Sequence, residues 1–95
     1  MLFVATCIDK PGLLPVRMEN RPAHLTYLGY LGDKVKVAGA LLSPDGQSPI
    51  GSMIVFDAAT RAEVDGYLAD DPYTKAGLFG SVDVKPWRQG VGRPL

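Results

Sequence analysis

Gly51-Ser52-Met53-Ile54-Val55-Phe56 is apolar on both sides of the extended chain it would form, and so is the opening stretch Met1-Leu2-Phe3-Val4-Ala5-Thr6-Cys7-Ile8. Both are too short for a typical buried helix. The β-branched residues in them favour strands, and strands apolar on both faces belong in the interior of a sheet. Two further stretches read differently. Val35, Val37, Gly39 and Leu41 alternate with Lys34, Lys36, Ala38 and Ala40, and Val82 and Val84 alternate with Ser81, Asp83 and Lys85. Period-two patterns with charge on one face mark edge strands. Residues 1–8 and 51–56 are therefore expected at the centre of a sheet, with 34–42 and about 78–86 at its edges.

Helical patterns fill the gaps. From about Leu14 to Gly32, Leu14, Met18, Leu25 and Leu28 recur at helical spacing, with Leu31 at the margin of the stripe. Pro22 lies within this run, so the helix either kinks there or starts there. If the helix is continuous, its 100° steps put Arg21 inside the apolar stripe and His24 at its edge. Thr60-Arg61-Ala62-Glu63 has the spacing of a capping box, and the helix it opens should end by Asp70, because Asp71 precedes Pro72. Ser43-Pro44-Asp45-Gly46 reads as a turn between the second and third strands. Trp87 to Leu95 carries two glycines and a proline. Residues 1–87 are expected to form one domain and 88–95 an irregular tail.

The resulting order is β-α-β-β-α-β, an α+β ferredoxin-like arrangement with a four-stranded antiparallel sheet. Two helices cover only one face of such a sheet, which leaves the apolar central pair uncovered on the other. An uncovered apolar patch implies a partner, and the simplest is a second copy packed sheet against sheet. The expectation is a homodimer of the dimeric α/β-barrel kind.

Composition excludes several function classes. Ninety-five residues with 46% apolar side chains suit one globular domain rather than a disordered chain. Ten basic and ten acidic residues balance, with no basic run of the kind that binds nucleic acid. No apolar run approaches the ~20 residues that span a bilayer. The opening Met-Leu-Phe-Val lacks the basic and long apolar regions of a signal peptide, so a cytoplasmic location is expected. Cys7 is the only cysteine and sits in an apolar run, which suits a small buried hydrophobe. One histidine and a carboxylate or two are too few for the common zinc sites, and no glycine-rich phosphate loop precedes a helix. Neither a metal nor a cofactor is expected.

His24 is the only histidine, and imidazole is the one side chain that ordinarily titrates between pH 5 and 8. In the expected topology the start of the first helix, with Arg17, Arg21 and His24, meets the loop 43–50 and the segment Asp70 to Tyr73 at one end of the sheet. His24 can thus reach Asp70 or Asp71. A carboxylate on one imidazole nitrogen fixes the tautomer and leaves the other nitrogen to move protons. Arg17 and Arg21 are candidates to bind a carboxylate or phenolate. Ser52, beside a glycine at a strand start, suits hydrogen bonding to substrate rather than nucleophilic attack. Tyr73 is placed in the same substrate-binding group, as a packing surface rather than a proton donor.

In these residues the chain resembles the YCII-related family. The likeness runs through the opening strand into Asp9-Lys10, Arg17 with Arg21-Pro22-Ala23-His24-Leu25, and Gly51-Ser52. It continues through Asp71-Pro72-Tyr73 with Ala76-Gly77, and Val84-Lys85-Pro86 followed by Trp87. The resemblance implies a dimeric α/β barrel with a histidine–aspartate pair in a cleft, here His24 and Asp71. It also implies dehydrochlorination of hydroxyquinol-type compounds as one reaction of the family. The expectation is a cofactor-free lyase or isomerase acting on a small anionic or aromatic molecule through a His24–Asp71 dyad. The alternative is a non-catalytic small-ligand-binding or accessory dimer built around the same cleft.

Overall fold

The computed structural model describes residues 1–95. The chain runs β1 (Leu2–Asp9), α1 (Leu14–Leu31), a 3-10 turn at Gly32–Lys34, β2 (Val35–Leu42), β3 (Pro49–Asp57), α2 (Arg61–Asp70), α3 (Pro72–Lys75) and β4 (Phe79–Trp87). The strands form one antiparallel sheet in the order β2-β3-β1-β4. The two strands apolar on both faces are the central ones, and the two alternating strands are the edges. The fold is α+β and ferredoxin-like.

Side chains alternate across the sheet. Phe3, Ala5 and Cys7 of β1 pair with Phe56, Ile54 and Ser52 of β3 and face the helices. With Val84 of β4, Leu28 and Leu31 of α1, and Val64 and Leu68 of α2, the apolar members of this set form the core. The opposite face carries Val4, Thr6 and Ile8 of β1, Met53 and Val55 of β3, and Val37 of β2. No helix covers it, and Ile8, Met53 and Val37 remain about two-fifths exposed.

The capping box at α2 is present. Glu63 N–H donates to Thr60 Oγ1 at 3.3 Å, while Glu63 Oε2 accepts from Ala59 N–H at 3.2 Å. The reach-back lands one residue earlier than the ideal box, and it still satisfies two donors at the helix start. The helix ends at Asp70, where the Pro72 ring pushes Asp71 into an extended conformation. The single turn α3 that follows has no periodic signal in the sequence. Residues 88–95 carry no helix or strand, and the Gln89 side chain ties this tail to itself through Val91, Arg93 and Leu95. No helix is long and apolar enough to cross a membrane.

Two expectations about α1 need revision. The helix continues through Pro22 and does not start there. Proline removes the hydrogen bond to the Met18 carbonyl, but Met18, Pro22 and Leu25 all lie on the exposed side, where water can take that acceptor. The buried face is also rotated from the apolar stripe. Arg17, His24, Leu28 and Leu31 are buried, whereas Leu14, Met18 and Leu25 are 43%, 53% and 48% exposed. Arg21 is exposed too, and not inside a buried stripe. The pattern misleads because two polar residues occupy buried positions, and each is offset by a specific partner.

Candidate functional site

Arg17 and His24 stand seven residues apart on α1, two turns and about 10.5 Å along one face. That face lies against the sheet at β3 and against α3. Arg17 meets Asp9 at the end of β1: Nε lies 2.7 Å from Asp9 Oδ2 and Nη2 lies 3.0 Å from Oδ1. Arg17 Nη2 also donates to Ser52 Oγ at 2.8 Å. The pair is buried, and such parallel bonds fix a guanidinium in one orientation. Burial works against the charge on Arg17, but the bonds to Asp9 and its negative charge prevail and hold the guanidinium above its usual pKa.

Ser52 owes its place to Gly51. A β-carbon at residue 51 would collide with the Cys7 carbonyl oxygen, so only glycine lets β3 pass β1 this closely. Ser52 then faces α1, paired in register with Cys7.

Asp71 joins α2 to α3. It is the N-cap of α3, and its Oδ1 accepts from Tyr73 N–H at 2.9 Å. Both of its oxygens also lie 2.9 Å from His24 Nδ1. An ionised carboxylate only accepts, which assigns the proton of a neutral imidazole to Nδ1 and leaves the lone pair on Nε2. Every buried side-chain nitrogen and oxygen has a partner. His24 Nε2 has none within the protein and therefore opens outward. The Tyr73 ring stacks on the imidazole, with centroids 3.9 Å apart and planes 15° from parallel, and lies 4.7 Å from the Arg17 guanidinium carbon. Burial raises the Tyr73 phenol above its ordinary pKa, Arg17 and Arg21 pull it back, and Asp71 and Asp9 push it up, so it stays protonated at neutral pH.

These side chains border a cavity of about 150 Å³ between α1 and the β2–β3 half of the sheet. Its walls are Arg17, Arg21, His24, Ser52 and Tyr73 with Leu25, Leu28, Ala38, Gly39, Ala40 and Ile54. Arg21 stands at the rim with no ion pair. Cys7 lies beneath, and burial, reinforced by the charges of Asp71 and Asp9, pushes its thiol up to about 12, which denies it a nucleophile's role. Nowhere do three or more His, Cys, Asp or Glu side chains gather in a set able to hold a metal ion.

The six residues singled out in the sequence thus come together, but the loop 43–50 does not join them. Ser48, Pro49 and Ile50 border a separate cavity of about 320 Å³ with Asp9 to Leu14. The wall expected from that loop comes instead from Ala38, Gly39 and Ala40 of β2. Asp9, read only as the start of a turn, is the residue that sequence reasoning missed. The signal was available, since alternation from Phe3, Ala5 and Cys7 carries Asp9 onto the helix-facing side beneath the first turn of α1.

The chain is 31% identical to protein YciI of Escherichia coli O6:H1, over 94% of this chain and 98% of that one. Its structure is similar to that of 5-chloro-2-hydroxyhydroquinone dehydrochlorinase (TftG) from Burkholderia phenoliruptrix, which was solved in complex with 2,5-dihydroxybenzoquinone. That match has a TM-score of 0.87 and 39% identity, and it covers 95% of this chain and 96% of the other. A Mycobacterium tuberculosis protein shares the fold at 14% identity, with a TM-score of 0.57 over 96% of this chain and 97% of its own. The YCII-related domain model matches residues 1–88, and the chain belongs to that family.

Proposed function

We propose that the protein is a cofactor-free enzyme of the lyase or isomerase type, which moves protons on a small anionic aromatic substrate and can expel a leaving group such as halide. The observation that carries this reading is His24, with Nδ1 held by Asp71 and Nε2 open to the cavity. Its likeness to a dehydrochlorinase supports the choice of reaction. The cavity of about 150 Å³ has the volume in which an apolar protein cavity holds one benzene ring. In this reading His24 and Asp71 form the dyad, and Arg17, Arg21, Ser52 and Tyr73 bind the substrate. The assembly is a cytoplasmic homodimer paired through the uncovered face of the sheet.

For a chlorinated trihydroxybenzene the steps balance without an oxidant. Nε2 takes a phenolic proton and returns it to the carbon bearing chlorine, giving the ketone tautomer. A second phenolic proton then leaves to Nε2. Its bonding electrons form a second carbonyl and shift a ring double bond, and chloride departs with its own pair. The net change is loss of one proton and one chloride. Asp71 supports the imidazolium formed at each transfer.

Chloride release from 5-chloro-2-hydroxyhydroquinone, followed with a chloride electrode beside thermal-shift binding of 2,5-dihydroxybenzoquinone, tests the proposal. The expected result is release well above the protein-free rate, inhibited by the quinone. Quinone binding with no release would point to a non-catalytic ligand-binding module. Absence of both would remove the reading altogether.

A further inference from the structure

A guanidinium has five N–H donors, and the protein engages three of those on Arg17. Arginine grips a carboxylate through two parallel N–H bonds, from either its Nε/Nη2 edge or its Nη1/Nη2 edge. Asp9 fills the first edge, with bonds of 2.7 and 3.0 Å. Ser52 Oγ, at 2.8 Å, takes the remaining Nη2 donor that the second edge would need. Nη1 makes no hydrogen bond of ordinary geometry and, because no buried polar atom is orphaned, opens to the cavity that Arg17 borders, where the Tyr73 hydroxyl also stands against the guanidinium. The Ser52 oxygen accepts from Nη2, so its hydroxyl proton is free to donate. Arg17 and Ser52 are 4% and 2% exposed and have no room to rearrange cheaply.

We propose that Arg17 Nη1 and the Ser52 hydroxyl form a one-oxygen anion site, preset by Asp9, which takes a phenolate or enolate oxygen and disfavours carboxylates. The inference rests on the reading that this cavity binds a small anionic ring, and it specifies which anion. Asp9 borders the neighbouring cavity and not this one, so it is a positioning residue that acts through Arg17. Arg21 retains both of its carboxylate-gripping edges, but it is exposed at the rim.

The test is calorimetric titration at pH 8 with a pair of probes on the same ring, 4-nitrophenolate and 4-nitrobenzoate. Wild type is expected to favour nitrophenolate at least tenfold. Ser52→Ala frees the Nη2 N–H beside Nη1 for a second bond to a carboxylate, so it should narrow that ratio severalfold. Asp9→Asn, which loosens the fixed orientation of the guanidinium, should narrow it by a smaller factor. Arg21→Gln should weaken nitrobenzoate by a larger factor than nitrophenolate. If Asp9→Asn does not fold, Ser52→Ala still decides, since loss of a hydroxyl leaves no charge buried without a partner. A wild-type ratio below tenfold, or a ratio unmoved in the folded variants, overturns the inference while leaving an anion-binding cavity in place. Failure of wild type to bind either probe at millimolar concentration overturns both.

Discussion

If the proposed function holds, His24→Ala is expected to lower turnover of 5-chloro-2-hydroxyhydroquinone by about 10²- to 10⁴-fold, the usual contribution of a positioned acid–base group, while binding of 2,5-dihydroxybenzoquinone changes much less. The asymmetry follows from the site. In the proposed reading the substrate's charge would be met by Arg17, Arg21 and Ser52, none of which needs the imidazole to hold its place, whereas Nε2 is the nitrogen open to the cavity. Asp71→Asn keeps the side chain's volume and its acceptor for Tyr73 N–H, but removes the charge that supports an imidazolium. It should therefore reduce kcat with little change in KM. Steady-state kinetics on the two variants, beside a binding titration, makes the comparison. Equal loss of binding and turnover in His24→Ala would assign the histidine to substrate binding alone.

Asp9→Ala destabilises the fold by about 3–5 kcal/mol, the characteristic cost of removing one partner from a buried ion pair. Arg17 would keep its charge at 4% exposure with Ser52 as its only remaining acceptor. The loss is large beside a total stability of roughly 5–15 kcal/mol for a domain. Urea denaturation followed by circular dichroism gives the number. The double variant Arg17→Met/Asp9→Ala should recover much of the loss, because no unpaired charge is left inside. A cost below about 1 kcal/mol for Asp9→Ala would place the pair in the class of exposed salt bridges and contradict the buried geometry.

The sheet was legible because its strands differ in kind. Residues 1–8 and 51–56 are apolar on both faces, while 34–42 and 78–86 alternate, and that difference alone orders centre and edge. The turn at α3 and the rotation of α1 were not. Hydrophobic periodicity measures solvent preference, and it fails where polar side chains are buried with partners distant in sequence. Arg17 depends on Asp9 and Ser52, and His24 on Asp71, so the true buried face of α1 has two of the chain's most polar residues where leucines would be expected. Leu14, Met18 and Leu25 supplied a cleaner but exposed pattern. The segment that meets His24 followed from topology. The choice of Asp71 over Asp70 depends on Pro72, which ends α2 and makes Asp71 the cap of α3, so that its carboxylate faces α1. The 43–50 loop failed as a wall because strand direction locates a connection only to one end of the sheet. Which side of Asp9 and Arg17 it lies on is a matter of side-chain packing.

The chain has a single histidine, which makes the central claim directly measurable. With the imidazole labelled by ¹⁵N, its two nitrogens give the protein's only histidine ring signals, and they can be followed as 2,5-dihydroxybenzoquinone is added. The site described here predicts a protonated Nδ1 that stays hydrogen-bonded to Asp71 throughout, and an Nε2 signal that moves as the ligand fills the cavity. An Nε2 signal unmoved at saturating ligand, or a proton found on Nε2 in place of Nδ1 in the free neutral protein, would contradict it.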